Sequence, residues 1–143
     1  MMAGMTVIVR TIARLLFPFI LLFGAYIIVH GHLSPGGGFP GGAVVAAGVV
    51  SIILAFGVKL PKKLLVPEEV EGIEIFGSFF LMAICAFALV AGAAFLQNLL
   101  PIGTPGELLS AEILFLLYIA VGLKVAGGLL LIIYAMTLAL QEE

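Results

Sequence analysis

The sequence predicts an all-α integral membrane protein with four transmembrane helices. Hydrophobic residues make up 64% of the 143 residues and charged residues only 10%, which lies far outside the composition of soluble domains. Four long apolar stretches are separated by loops rich in glycine, proline or charge. Each stretch is near the roughly twenty residues that a bilayer crossing requires. We therefore expect residues 1–143 to form a single transmembrane domain.

The first two predicted helices cover roughly residues 11–29 and 41–58. Pro18 falls inside the first helix, where proline is expected to cause a kink or a break near Phe17. The second helix is rich in alanine, valine and glycine, and its small side chains permit close contact with a neighbouring helix.

A polar turn dense in glycine and proline joins these two helices, with His30 and His32 at its entrance. Glycine accepts positive φ and proline fixes φ, so this density predicts a shaped turn between helices. The residues expected to shape it are Pro35, Gly36, Gly37, Gly38, Phe39 and Gly42. The glycines also spell a dinucleotide-binding spacing, but no strand precedes them and no acid follows before Glu68, so nucleotide binding is not expected.

The last two predicted helices cover roughly residues 74–96 and 110–140. The third opens at Glu74 and contains Ala88 and Gly92 at a spacing that favours helix contact. The fourth is long enough to cross with tilt or to begin outside the hydrocarbon. Between the second and third helices, residues 59–72 read as a solvated charged loop.

The distribution of lysine and arginine predicts the orientation in the cell membrane. Arg10 and Arg14 flank the first helix on its N-terminal side, and three lysines lie between the second and third helices. The other two loops contain neither residue type. This pattern predicts that both termini and the lysine loop are cytoplasmic and that the glycine-rich turn lies outside, which requires an even number of crossings.

Lys124 is the most informative charge because it lies near the middle of the fourth predicted helix. A central lysine costs about 2.5–3.5 kcal/mol on insertion scales. The chain contains no aspartate, and no glutamate is expected at comparable depth in another helix. Three explanations remain open: another subunit supplies an acid, water reaches the lysine, or desolvation leaves it neutral. Snorkelling is a weaker alternative at this position.

Four further residues are candidates for an ion path or an interface. Glu112 and Glu74 each open a predicted helix, where the helix dipole favours an acid, and Glu112 is also a candidate for the mouth of a cation path. His30 and His32 lie at the membrane boundary, where histidine can relay protons or simply bond to the turn backbone.

Several classes of function are not expected. The net charge is slightly negative and no basic patch is present, so nucleic acid is an unsuitable partner. Two histidines without further ligands do not predict a metal site, and we expect no cofactor. The serines lack a neighbouring histidine and acid that would activate them, so we expect no catalysis by this chain alone.

The turn resembles the signature of the MnhB/MrpB family, the small membrane subunits of Mrp-type sodium/proton antiporters. The pattern is a helix ending in G-H-x-x-P-G-G-G-F followed by a glycine-rich helix start. The residues that fit it are Gly31, His32, Pro35, Gly36, Gly37, Gly38, Phe39 and Gly42. Residues 119–128, around Lys124, also look like the last helix of the family.

The resemblance implies a subunit of a hetero-oligomeric complex with large antiporter-like subunits that resemble proton-pumping subunits of respiratory complex I. Small subunits of this type are implied to form or support the sodium path. Similar modules occur in archaeal membrane-bound hydrogenases and sulfur-reducing complexes, where redox chemistry in other subunits drives ion translocation.

The sequence is compatible with three functions. In the first, the chain is an ion-translocating subunit and Lys124 lies on a sodium or proton route. In the second, the chain is a structural subunit and Lys124 forms a fixed interfacial ion pair. The third is a stand-alone four-helix transporter. Such transporters typically place a glutamate in the first helix, and residues 11–29 contain none.

Overall fold

The computed structural model describes residues 5–57, 67–98 and 113–142. These residues form four helices and no strand: α1 (Val7–Val29), α2 (Gly38–Phe56), α3 (Pro67–Val90) and α4 (Ile113–Glu142). Each helix contains a stretch long and apolar enough to cross a membrane. The predicted all-α, four-helix membrane fold is therefore confirmed.

The helices pack in the order α1, α2, α4, α3, so that α2 and α4 each contact a helix on either side. A lighter contact joins α1 to α4. Small side chains dominate the core of the described residues: Ala46, Ala55, Ala88, Ala120 and Ala126 are buried, while most large apolar side chains are exposed. Close backbone approach, which small residues permit, drives helix association where lipid is as apolar as the protein surface.

The N-terminal end of α1 lies beside the C-terminal end of α2. The backbone N–H of Met5 donates a hydrogen bond to the carbonyl of Ala55 at 3.1 Å. The guanidinium carbons of Arg10 and Arg14 lie 5.8 and 4.6 Å from the centre of the Phe56 ring, within the range of a cation–π interaction. Arg10 and Arg14, on which the predicted orientation rests, therefore also stabilise the contact between α1 and α2.

The first two helices differ from their predicted bounds at the ends. α1 begins four residues early and continues through Pro18 without a break. α2 begins three residues early because Pro40 occupies its first turn, where the missing N–H is harmless. It ends at Phe56 because Gly57 adopts a φ of 79° and donates its N–H to the carbonyl of Ile53.

The bounds of α3 differ most from the prediction. The helix begins at Pro67, seven residues early, because proline suits the first helical position and Glu68 and Glu69 complement the helix dipole. The prediction of a loop was therefore wrong for residues 67–72, although the side chains of Glu68, Glu69 and Glu71 are exposed. Residues 58–66 of the predicted loop and helix end lie outside the described residues.

The helix ends at Val90 because Gly92 has a φ of 76° and the N–H of Ala93 reaches back to the carbonyl of Ala88 at 2.9 Å. Gly92 is therefore a helix cap rather than a helix-contact residue. In the fourth helix, the predicted first residues 110–112 lie outside the described residues, and the helix extends two residues beyond the predicted end.

Candidate functional site: an ion pair between two membrane helices

The residues of α3 that face α4 are regularly spaced along the helix. They repeat in alternating steps of four and three, the spacing of two helices packed along their length. They are Val70, Glu74, Gly77, Leu81, Ile84 and Ala88. Most are small or apolar and buried, so Glu74 is a carboxylate placed within an otherwise apolar helix contact.

Two glycines bring the helix backbones together at this point. A methyl group at Gly77 would lie 2.8 Å from the backbone nitrogen of Lys124. A methyl group at Gly127 would lie 3.0 Å from the Cβ atom of Glu74. A side chain at Gly77 would force the backbones apart, and one at Gly127 would displace its neighbour by a few tenths of an ångström, so the two glycines permit the close approach. Each charged residue thus packs over a glycine of the opposite helix.

The close approach creates an ion pair. The Nζ atom of Lys124 lies 3.8 Å from the Oε1 atom of Glu74, and the two side chains are 47% and 27% exposed. We expected no glutamate at the depth of Lys124, and that expectation was wrong. The expectation failed because it started α3 at Glu74. A helix that begins at Pro67 instead places Glu74 roughly 10 Å along the helix axis, away from the helix end.

Ser78 supports the carboxylate from the next turn of α3. Its hydroxyl lies 3.0 Å from the backbone carbonyl of Glu74 and 3.1 Å from the Oε1 atom, so it donates to one or the other. Oε1 is the same oxygen that faces Lys124. The hydroxyl therefore restricts where the carboxylate points, and a charge held by more than one polar group is less costly to bury.

His30 ends α1 and organises the beginning of the glycine-rich turn. Its ring stacks on Tyr26 with centroids 4.9 Å apart, and its Nδ1 atom lies 3.1 Å from the hydroxyl oxygen of Ser34. Its backbone carbonyl accepts bonds from the N–H groups of Leu33 and Ser34. These contacts describe a helix-capping histidine that is held by the turn.

The turn closes where two glycines meet. Gly37 has φ 130° and ψ −173°, a region that is open almost only to glycine, and donates its N–H to the carbonyl of Ile27 at 3.3 Å. A methyl group at Gly31 would lie 2.5 Å from the Cα atom of Gly37. The chain therefore doubles back tightly enough that side chains are excluded at this point.

The turn and the start of α2 pack on the same part of α4 that carries Lys124. The position of a methyl group at Gly38 lies 2.5 Å from the carbonyl of Tyr118, and that at Gly42 lies 2.6 Å from the carbonyl of Gly122. Residues 118–127 of α4 are thus held by glycines of α2 on one side and by Gly77 of α3 on the other. The glycine-rich stretch and the segment around Lys124, the two parts of the sequence that carry the family resemblance, therefore pack against each other.

The other predicted site residues are placed as follows. His32 is partly buried in the turn, Pro35 and Gly36 are exposed, and the Phe39 side chain is exposed at the start of α2. Glu112 lies outside the described residues. Among the described residues, no group of three or more histidine, cysteine, aspartate or glutamate side chains could hold a metal ion.

Gly77 and Ser78 were not identified from the sequence as parts of the site. The signal for Gly77 was present in the alternating steps of four and three between Val70 and Ala88, and Ser78 could have been found from its position four residues after Glu74. Starting the helix at Glu74 removes Val70 from the pattern and makes Glu74 appear to be a terminal acid.

Comparisons with known proteins agree with this architecture. A family model described as a domain related to the MnhB subunit of Na⁺/H⁺ antiporter matches residues 8–131. A Na⁺/H⁺ antiporter subunit of Bacillus subtilis is 35% identical over 113 residues, which cover 74% of this chain and 77% of that protein. An uncharacterized protein of Methanocaldococcus jannaschii is 32% identical over 130 residues, which cover 87% of this chain and 49% of that protein.

One similar solved chain comes from the structure of the membrane-bound sulfane sulfur reductase, an archaeal respiratory membrane complex. It superimposes with a TM-score of 0.77 at 36% identity, covering 92% of this chain and 57% of that one. This chain therefore spans about half the length of the M. jannaschii protein and little more than half of the reductase chain. With four apolar helices and a family match over most of its length, it is a multi-pass membrane protein that belongs to the MnhB family of Na⁺/H⁺ antiporter subunits.

Proposed function

We propose that this chain is a small membrane subunit of a multisubunit Mrp-type cation/proton antiporter module and that it takes part in sodium/proton translocation. The observation that carries the proposal is the Glu74–Lys124 ion pair between two membrane-spanning helices of an MnhB-family chain. Ionisable residues inside the membrane are expensive and mark ion paths or partner contacts. The large antiporter-like subunits, sodium ions and protons are the proposed partners.

The proposed route passes the α3–α4 contact. Lys124 and Glu74 are the central pair, and His30 and His32 are the candidates near the end of the route on the side of the turn. Glu112 is kept as a sequence-based candidate for the mouth of the route. The start of α2 supports the route because Gly38 and Gly42 pack on residues 118–126 of α4, the segment that contains Lys124. The chain supplies charged groups and a rigid frame, and we expect no catalysis and no cofactor in it.

A second candidate is a purely structural subunit, and one observation favours it. Lys124 is paired within its own chain, and the two glycines hold the pair in place. Such a pair can fix the packing of α3 on α4 without any ion passing between them.

Replacing Lys124 separates the two candidates. In membrane vesicles, Lys124→Met is expected to lower sodium/proton exchange per assembled complex at least about tenfold. The matched control is Leu123→Met, a neutral change of similar volume at the neighbouring position, which is expected to leave exchange unchanged. Normal exchange per assembled complex of the Lys124→Met variant would support the structural subunit.

The type of assembly is tested by purification in a gentle detergent through a tag on this chain. Antiporter-like subunits alone would indicate a stand-alone antiporter. Hydrogenase-like or iron–sulfur subunits in the same particle would indicate a redox-driven ion pump, such as a hydrogenase or a sulfur reductase. A chain recovered alone would contradict the proposed function.

We further propose that both termini are cytoplasmic and that the glycine-rich turn faces outside. Two exposed positions at opposite ends of α1 test this orientation: Leu33 in the turn and Met5 before the helix. In a Cys85→Ala background, a membrane-impermeant thiol reagent applied to intact cells should label Leu33→Cys and not Met5→Cys. The reverse labelling pattern would contradict the orientation.

A further inference from the structure

We infer that the exposed face of α4 around Lys124 and Gly128, on the outside of the four-helix unit, is the docking surface for a transmembrane helix of another subunit. This partner helix offers uncharged hydrogen-bond acceptors rather than an acid. The inference rests on the proposed function, because it requires a partner subunit, and it adds the surface and the chemistry of the contact.

The first step is the exposure of the ammonium group. The Lys124 side chain is 47% exposed although its carboxylate partner is only 27% exposed. Their separation of 3.8 Å is that of an ion pair but is too long for a hydrogen bond. An ammonium group carries three donors, so this carboxylate contact leaves donors that need acceptors.

The second step concerns what can supply those acceptors. Lys124 lies near the centre of the apolar span from Ile113 to Thr137, roughly 16–20 Å from either end. The four-carbon stem of lysine is too short to carry the ammonium to the headgroups from that depth. Lipid tails offer no acceptors, and an unsatisfied polar group in hydrocarbon is costly. Lipid cannot supply these acceptors at that depth, whereas a neighbouring protein helix can.

The third step is charge. Glu74 and Lys124 already neutralise each other. A carboxylate from a partner helix would leave an excess negative charge inside the membrane, and the removal of charges from water is expensive unless they are compensated. Hydroxyl, amide or backbone carbonyl oxygens satisfy the ammonium donors without adding charge. These are the groups that hydrogen-bond between helices in membranes.

The fourth step is shape. Gly128 lies one turn after Lys124, on the same face of α4. Apart from its chain neighbours and the adjacent backbone of its own helix, no heavy atom of the described residues lies within 4 Å of the position that a Cβ would occupy there. Ile132 and Ala135 continue this face and are exposed. The open position beside the ammonium lets a partner backbone approach closely, which is how small residues favour helix association.

A pair of glycine substitutions tests the surface. Gly128→Leu adds bulk to the proposed docking face, and Gly72→Leu adds the same bulk to α3 at a position that is also open. With the complex purified through a tag on this chain, Gly128→Leu should reduce recovery of partner subunits at least about tenfold, and Gly72→Leu should leave it near that of the wild type. Equal recovery for the two variants, whether high or low, would overturn the docking surface.

A charge series in the same complex tests the partner chemistry. With uncharged acceptors, Glu74→Gln and Lys124→Met each leave one uncompensated charge, so each should reduce assembly more than the double variant, in which no charge remains. If the partner supplies an acid, Glu74→Gln should assemble nearly normally because Lys124 still has a counter-ion. The double variant should then assemble less well, because the acid of the partner is left without one. That second order would overturn the uncharged partner.

The outcomes also separate this inference from the proposed function. If the unaltered chain is recovered without other subunits, the proposed function fails. If it is recovered with antiporter-like subunits and Gly128→Leu does not disturb them, the function stands and only the docking surface is wrong.

Discussion

Glu74 and Lys124 occupy reciprocal positions in the α3–α4 contact: each packs against the glycine that follows its partner by three residues. Glu74 lies over Gly127, and Lys124 lies over Gly77. The glycines set how close the backbones come, and that distance allows the two charged groups to reach 3.8 Å. The pair is therefore a consequence of helix packing, and changes to the packing should change the pair.

Gly77→Ala should destabilise the protein. Its methyl group would lie 2.8 Å from the backbone nitrogen of Lys124 and 3.2 Å from the carbonyl oxygen of Ala120, so the helices must separate. Overpacking of this kind costs about 1–3 kcal/mol. Thermal unfolding in detergent measures the loss. The control is Gly72→Ala, which meets open space among the described residues and should be neutral or stabilising by up to about 1 kcal/mol. Equal midpoints for both variants would contradict the packing role of Gly77.

Under the proposed function, Ser78→Ala should lower sodium/proton exchange several-fold while lowering the free energy of unfolding by only about 1 kcal/mol. The substitution removes the hydroxyl that lies 3.1 Å from the Glu74 carboxylate, a contact that contributes roughly 1 kcal/mol or slightly more. Exchange is measured in membrane vesicles. Ser51→Ala is the matched control, because the Ser51 hydroxyl also bonds a backbone carbonyl, that of Gly48 at 2.6 Å. Similar exchange in the two variants would remove Ser78 from the site.

Gly37 and Gly92 should respond differently to asparagine. Gly92, with φ 76°, caps α3 in the left-handed region that asparagine also enters, so Gly92→Asn should be tolerated. Gly37 has φ 130° and ψ −173°, where a side chain costs about 1–3 kcal/mol. Gly37→Asn should therefore lower the unfolding midpoint as clearly as Gly37→Ala does. Rescue by asparagine at position 37 would show that the turn relaxes.

Arg14 should couple to Phe56 more strongly than Arg10 does. The Arg14 guanidinium lies 4.6 Å from the ring centre and that of Arg10 lies 5.8 Å away. Partly exposed cation–π contacts contribute about 0.5–1 kcal/mol. Double-mutant cycles with Phe56→Leu measure each coupling free energy. A larger value for Arg10 would contradict the observed geometry.

The composition and spacing of the sequence were sufficient to predict four membrane helices in the correct order, because bilayer crossing depends on the length and hydropathy of single segments. The glycine-rich turn was also predictable, since positive φ and close backbone approach are local properties of its glycines. The start of α3 was not predicted, because local charge favoured a loop over residues 59–72, and that range includes Pro67, the first residue of the helix.

The sequence by itself determined the membrane class, the helices, the turn and the importance of Lys124. Only the tertiary structure decided that Glu74 is the partner of Lys124, because pairing depends on the register between two helices separated by a long stretch of chain. That register is set by Gly77 and Gly127, which allow close approach at one relative position of α3 and α4. The physical reason is steric: a contact between distant segments depends on shapes that meet only after both helices have formed and packed.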